Sequence, residues 1–368
     1  MSAYVLTFLL CLFFSPNLFA QIDLGLDVDV ASSVDEVEDE QPVNSDDKKS
    51  FFSKAFDFLG SEGGMQSSKG FLTLEELKAS AEQGDIEAIL DLGYRHLYGV
   101  NGVKIDYKQA FYYYNLASEK NNPVALNNMG SLYFNGIGVE ADYDKAIDYF
   151  KKAIKQGSSD AALNLAVIYL GSNTKHKKQE DLEYSFDLLN QAAKSSNIYA
   201  QYLLGYAHYI GFIVDQNYQK AFSYIKKAAD NQYDEAQFML AHFYIEGKGV
   251  TRNYTNAVIY LKQASNQGHK DAIIKLADIY SEGVIYTRNI KEAHILYNIA
   301  SVIGSKYAEQ RRDELEKKLK IEDLLEVQLN AEKMKLTPSS QTTFARKTFG
   351  NSLKAYIDMN IKNNKIMN

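Results

Sequence analysis

The chain has 368 residues, 46% of them hydrophobic, enough for two ordinary domains or one long repeat array. Its net charge of −7 is unevenly placed: Gln21–Asp47 carries ten acidic residues and no basic one, which leaves the rest at +3 and without the basic field that nucleic-acid binding needs. The one cysteine, Cys11, lies in an apolar leader; with that leader removed, no thiol is left for a disulfide scaffold, a Cys-zinc site or a thiol enzyme.

Residues 1–20 (MSAYVLTFLLCLFFSPNLFA) read as a secretory signal peptide, with an apolar core at Val5–Phe14, a Ser15-Pro16 break and a small residue at Ala20. The segment has no Lys or Arg, and Leu18 is larger than a cleavage site prefers. The alternative is a membrane anchor, but so short an apolar run does not comfortably span a bilayer. Residues 21–70 form an acidic linker that is expected to be disordered, because it cannot bury enough apolar surface to offset chain entropy. Within it, Phe51, Phe52, Ala55, Phe56 and Leu59 fit one face of a short helix, which either docks on the following domain or binds a partner.

Residues 71–308 are built on one pattern, a half repeat followed by six copies. Phe71–Gly84 resembles the second half of a unit and is expected to cover the open end of a stack. An alanine recurs at Ala88, Ala125, Ala161, Ala200, Ala236, Ala272 and Ala308, at spacings of 37, 36, 39, 36, 36 and 36. Five residues after it comes Gly or Ala, preceded by Leu or Met, a pairing that lets helix backbones approach while filling the core. Glycines at 99, 136, 211, 247 and 283 mark the end of a first helix. Asp106, Asp142, Asp181, Asn217, Asn253 and Asn289 are predicted N-caps of a second helix, since their side-chain oxygens accept from orphan helix N–H groups. That helix carries alanine pairs seven apart, such as Ala146 and Ala153, with Tyr113, Tyr149, Tyr224 and Tyr260 between them.

A period near 36 with two helices per unit is the signature of a helical solenoid. Ala125–Gly157 shows the pattern best: Met129-Gly130, Tyr133, Gly136-Ile137-Gly138-Val139, Asp142-Tyr143, Lys145-Ala146, Tyr149, Lys152-Ala153 and Gly157. On these residues the chain resembles the Sel-one-like repeat family, relatives of the tetratricopeptide repeats. The resemblance implies an all-α fold, a right-handed α-solenoid of antiparallel helix pairs. The third copy departs from it, because Ser172–Glu180 replaces the glycine loop and adds residues; regular stacking is least expected there. Residues 309–337 read as two capping helices with a hinge near Lys320–Glu322, on the pairs Leu315/Leu319 and Leu325/Leu329; one coiled-coil helix is the alternative. Residues 338–368 read as a flexible tail in which Phe344–Ile361 has a basic amphipathic pattern interrupted by Gly350.

The six histidines have no metal-ligand spacing, and no phosphate loop, nucleophile elbow or paired cofactor glycines occur, so neither cofactor, metal nor catalytic residue is expected. In a tetratricopeptide-like stack the first helices line the concave face. The positions this pattern leaves free are Tyr199, Tyr202, Tyr206 and Tyr209, flanked by Phe238, His242 and Ile245 on one side and Leu163, Val167 and Leu170 on the other. Tyrosine offers wide contact area and a hydroxyl, which suits a protein-binding groove. At Tyr202, Phe238 and Leu163 the competing reading is ordinary packing.

The resemblance implies an adaptor that binds a protein or peptide on the concave face, exported to a bacterial envelope, outer membrane or cell surface, with roles in envelope assembly or host interaction. Two other readings stand beside it. One is a small-ligand or β-lactam-type binding or hydrolysing enzyme like cysteine-rich exported relatives, which carry a disulfide in each repeat that this chain lacks. The other is a membrane-tethered structural protein.

Overall fold

Residues 72–171, 179–283, 285–339 and 342–343 are described by a computed structural model. The leader, the acidic linker with its aromatic segment, most of the third-copy insertion and the amphipathic stretch Phe344–Ile361 lie outside the described residues. Fifteen helices and no strand occur among the described residues. They are α1 (Leu74–Glu82), α2 (Ile86–Tyr98), α3 (Tyr107–Ser118), α4 (Pro123–Asn135), α5 (Tyr143–Lys155), α6 (Ser159–Gly171), α7 (Gln179–Lys194), α8 (Ile198–Ile210), α9 (Tyr218–Asp230), α10 (Asp234–Glu246), α11 (Tyr254–Asn266), α12 (Lys270–Glu282), α13 (Ile290–Val302), α14 (Lys306–Glu316) and α15 (Ile321–Lys333). From α2 to α13 they pack as six antiparallel pairs, and the second helix of each pair packs on the first helix of the next. The fold is an all-α solenoid.

Local chemistry sets each boundary. The first helices of five pairs stop at Gly99, Gly136, Gly211, Gly247 and Gly283, all left-handed, with φ between 66° and 73°. Asp106, Asp142, Asn217, Asn253 and Asn289 each accept a backbone N–H and start a second helix. Asp181 does not cap α7. That helix begins at Gln179, so Asp181 falls in its first turn, where a carboxylate complements the helix dipole instead. The first helices have caps of their own: Asp85, Asn122, Ser158, Asn197, the Nδ1 of His269, and, for α14, Ser305.

The alanine columns are fully buried at Ala110, Ala117, Ala146, Ala153, Ala221, Ala228, Ala257, Ala264, Ala293 and Ala300. Where the small position on a first helix is glycine, it faces a large residue on the second. A Cβ on Gly205 would come within 2.6 Å of Ile225, and one on Gly130 within 2.8 Å of Phe150. Between repeats the approach is tighter still. Gly249 (φ +68°) lies so close to the Tyr218 carbonyl of the preceding unit that any Cβ there would overlap backbone atoms, and Gly138 meets Tyr107 in the same way.

Beyond α13, α14 continues the series with Ala308 buried, and α15 folds back on α13. The break between them is at 317–320. Of the leucines read as packing pairs, Leu315 is buried, but Leu325 and Leu329 are exposed; α15 seats Val327 instead, and Lys291 on α13 bridges Asp323 (2.6 Å) and Glu326 (2.8 Å). The chain after α15 is not free where it was expected to be. Ser339 and Thr342 are hydrogen-bonded to the fourth and fifth repeats, and Thr342 is completely buried.

Candidate binding face

Four of the first helices meet their second through a stacked ring pair. His96 stacks on Tyr113 (5.7 Å), Tyr133 on Tyr149 (5.5 Å), His208 on Tyr224 (6.1 Å) and Tyr244 on Tyr260 (6.0 Å). Burial lowers the pKa of both His96 and His208, which favours the neutral ring that such stacking uses. These histidines stand at a tyrosine position of the repeat and do a tyrosine's packing work.

The four tyrosines of α8 share one face, but most of that face is not open. Tyr199 and Tyr202 are buried, both edge-on to Tyr233 (5.5 and 5.2 Å), the residue that leads into α10. Val167, Leu170 and Ile245 are buried in the same core, as is Leu163. The expected free stripe therefore shrinks. The reason is that neighbouring first helices lie against each other, and Tyr233 fills the seam between α8 and α10, so positions left free by the repeat pattern are taken up by packing between repeats.

Half-buried rings remain at Tyr206, Tyr209, Phe238 and His242. Tyr206 lies parallel to Tyr202 at 6.5 Å. Tyr209 meets Phe243 edge-on at 5.5 Å and sits under the Lys248 ammonium at 5.6 Å. Lys248 in turn pairs with Glu246 at 2.7 Å. Burial, with Glu246 nearby, raises the Tyr209 pKa, so its hydroxyl stays protonated at neutral pH. Phe238 lies between His242 (4.7 Å, edge-on) and His269 (4.5 Å, stacked). Burial, reinforced by Lys275, His269 and Lys248, lowers His242 to about 4. The face thus offers aromatic surface with a neutral His242 ring and a protonated Tyr209 phenol, suited to contact rather than to proton transfer.

The sequence reading missed a set of glutamines at the junctions between repeats. Gln201 and Gln237 each donate to a carbonyl eight residues earlier, Ala193 and Ala229 respectively (both 3.4 Å). Gln267 donates to Gln237 Oε1 (2.8 Å) and to the Gln232 carbonyl (3.1 Å). The 36-residue spacing of Gln201 and Gln237 was the available signal; Gln267, 30 residues further on, is out of that register. Also unread was a buried ion pair in α2, where Arg95 meets Asp91 at 2.9 Å and the Leu72 carbonyl at 3.3 Å.

A family model described as Sel1 repeat matches residues 86–122, 123–158, 159–197, 198–233, 234–269 and 270–301, more than half of the chain. The chain belongs to the Sel1 repeat family. Sel1 repeat proteins are typically non-enzymatic scaffolds for protein–protein interaction. Among solved structures, a protective antigen of uropathogenic Escherichia coli with an SLR fold is similar at 24% identity and a TM-score of 0.59, over 80% of this chain. This chain spans 58% of that antigen's length. A Sel1 repeat protein from Oxalobacter formigenes is similar at 26% identity and a TM-score of 0.54, over 63% of this chain and all of that one. No curated protein matches the sequence. Among the described residues, no helix is long and apolar enough to cross a membrane.

Proposed function

We propose that this Sel1 repeat protein is a non-enzymatic adaptor, exported to a bacterial envelope or surface, that holds a protein or peptide against its first-helix face. The observation that carries the binding reading is the half-buried ring set Tyr206, Tyr209, Phe238 and His242. It follows two successive first helices, α8 and α10. Export rests on the leader sequence alone. It predicts a mature N-terminus at Gln21 in the exported fraction; a cytoplasmic chain that retains Met1 would overturn it.

The binding face is tested by site-specific photo-crosslinking in the native host. Probes at Tyr206 and His242 should capture a common partner, while a probe at Tyr112, exposed on the second helix α3, should not. Crosslinks from Tyr112 alone, or from none of the three positions, would refute the assignment.

A further inference from the structure

The two ends of the stack are finished differently. A repeat array needs terminal units with a polar outer face. At the N-terminal end α1 supplies one: Leu77 and Ala81 are buried in the core beside α2, while Glu75, Glu76, Lys78 and Glu82 are exposed. At the C-terminal end α15 does the opposite. It seats Val327 on α13 and leaves Ile321 (73% exposed), Leu325 (64%) and Leu329 (50%) on its outer side. At four-residue spacing these three cover about 80° of the helix surface, one continuous stripe rather than scattered residues. Beyond α15 the described chain leads away from the stripe, as a strap. Thr337 N–H donates to the Asn266 carbonyl (2.8 Å) and the Ser339 hydroxyl to the Gln232 carbonyl (2.7 Å). Thr342 then caps α10, five helices before α15: its hydroxyl accepts the Asp234 N–H at 3.1 Å, where the helix's own N-cap residue, Tyr233, makes no capping bond.

We propose that this stripe takes a second copy of the chain, α15 against α15, in a two-fold dimer joined at the C-terminal ends. The charges beside the stripe are self-complementary. Glu322 and Lys333 are both exposed and eleven residues apart, so they lie about 20° from each other around the helix and about 16 Å apart along it, on one flank of the stripe. In an antiparallel pair that flank faces its own copy. A two-fold axis level with Val327 then sets Leu325 beside Leu329 of the second copy and Glu322 beside Lys333 of the second copy, each contact made twice. The two helix dipoles also oppose each other. Asp323 and Glu326 do not disturb the match, because Lys291 of the same chain holds both. The polar face of α1 offers no apolar match at the other end, so the copies close as a pair instead of adding head to tail. One helix per copy is a small contact, below the about 1,200 Å² of a standard interface, so the association is weak and concentration-dependent. It uses no residue of the first-helix face and stands whether or not the adaptor reading holds.

Sedimentation equilibrium of the full chain tests this. The parent should pass from monomer to dimer between micromolar and millimolar concentration. Leu325→Asp changes a side chain that the monomer leaves exposed, so circular dichroism should be unchanged, while dimerisation should weaken at least about a hundredfold. Glu322→Lys and Lys333→Glu should each weaken it about tenfold, since both symmetric contacts turn repulsive. An equimolar mixture of those two variants should associate like the parent, because in the mixed dimer each of the two contacts again joins opposite charges. A parent that stays monomeric up to millimolar concentration would overturn the proposal, whether another protein or the chain's own C-terminus then covers the stripe. So would a dimer that persists in Leu325→Asp, single charge variants that associate as tightly as the parent, or a mixture that associates no better than either variant alone.

Discussion

Replacing Gly249 by alanine probes the contact that joins the fourth and fifth repeats. Two costs apply. An L-residue at φ +68° costs about 1–2 kcal/mol, of which about 0.5–1 kcal/mol returns because alanine narrows the unfolded ensemble. The added Cβ also overlaps the Tyr218 carbonyl, and both sides of that contact are backbone, so relief requires the two repeats to part; overpacking of this kind costs about 1–3 kcal/mol. The sum is a loss of about 1–4 kcal/mol. Gly247→Ala is the control. Its φ is +72°, but its Cβ would sit 3.4 Å from Arg252 Cβ, an ordinary contact, so it should lose only about 1 kcal/mol. Urea unfolding followed by circular dichroism measures both, and because a repeat array is a chain of nearest-neighbour interfaces, hydrogen exchange should show the Gly249→Ala loss centred on α9 and α10. Equal losses in the two variants would refute the argument that backbone contact, rather than dihedral preference, selects glycine at 249.

Three further outcomes are expected. Thr342→Val removes the remote cap of α10 and should cost about 1–2 kcal/mol, with faster exchange at the start of that helix, whereas Thr342→Ser should keep most of the stability. His242 is held near 4 in the fold against about 6.5 unfolded, so the unfolded chain binds the extra proton between those values; stability should rise with pH from 4 to 6.5, by up to about 3 kcal/mol. The difference between the parent and His242→Gln, measured by urea unfolding across that range, isolates this contribution from half-buried Asp160 and Asp278, whose raised pKa values act in the opposite sense; parallel curves would contradict it. Asp91→Ala strands the buried Arg95 guanidinium and should cost about 3–5 kcal/mol by urea titration, with Asp91→Leu/Arg95→Met losing clearly less.

What the sequence disclosed was what local chemistry decides. Glycine at a left-handed stop, Asn or Asp at a cap and alanine in a close-packed seam each act within a turn or two of their own position. The periodic columns therefore translate directly into helix pairs. Asp181 misled because the third copy's insertion moves the helix start upstream, and a cap is defined by where the helix begins rather than by register in the repeat. The tyrosine stripe of α8 was legible as a face but not as a buried one. Its cover, Tyr233, comes from the end of the unit, at the start of α10, and spacing within one helix carries no information about what lies against it. The tail contact was the least legible of all, since Thr342 and Asp234 are 108 positions apart and nothing periodic marks a threonine as the partner of a helix start.

That bond gives the C-terminal half of the molecule a fixed circumference. A solenoid can ordinarily lengthen or shorten by whole units, because each unit recognises only its neighbours. Here the chain leaves Asp234, passes through α10 to α15, and returns to Asp234, forming a closed loop whose closure works for one number of units only. Duplicating or deleting a unit between α10 and α14 would move Thr342 a full step away from its helix. Units before α10 lie outside the loop, so changes in repeat number are confined to the N-terminal side of the strap.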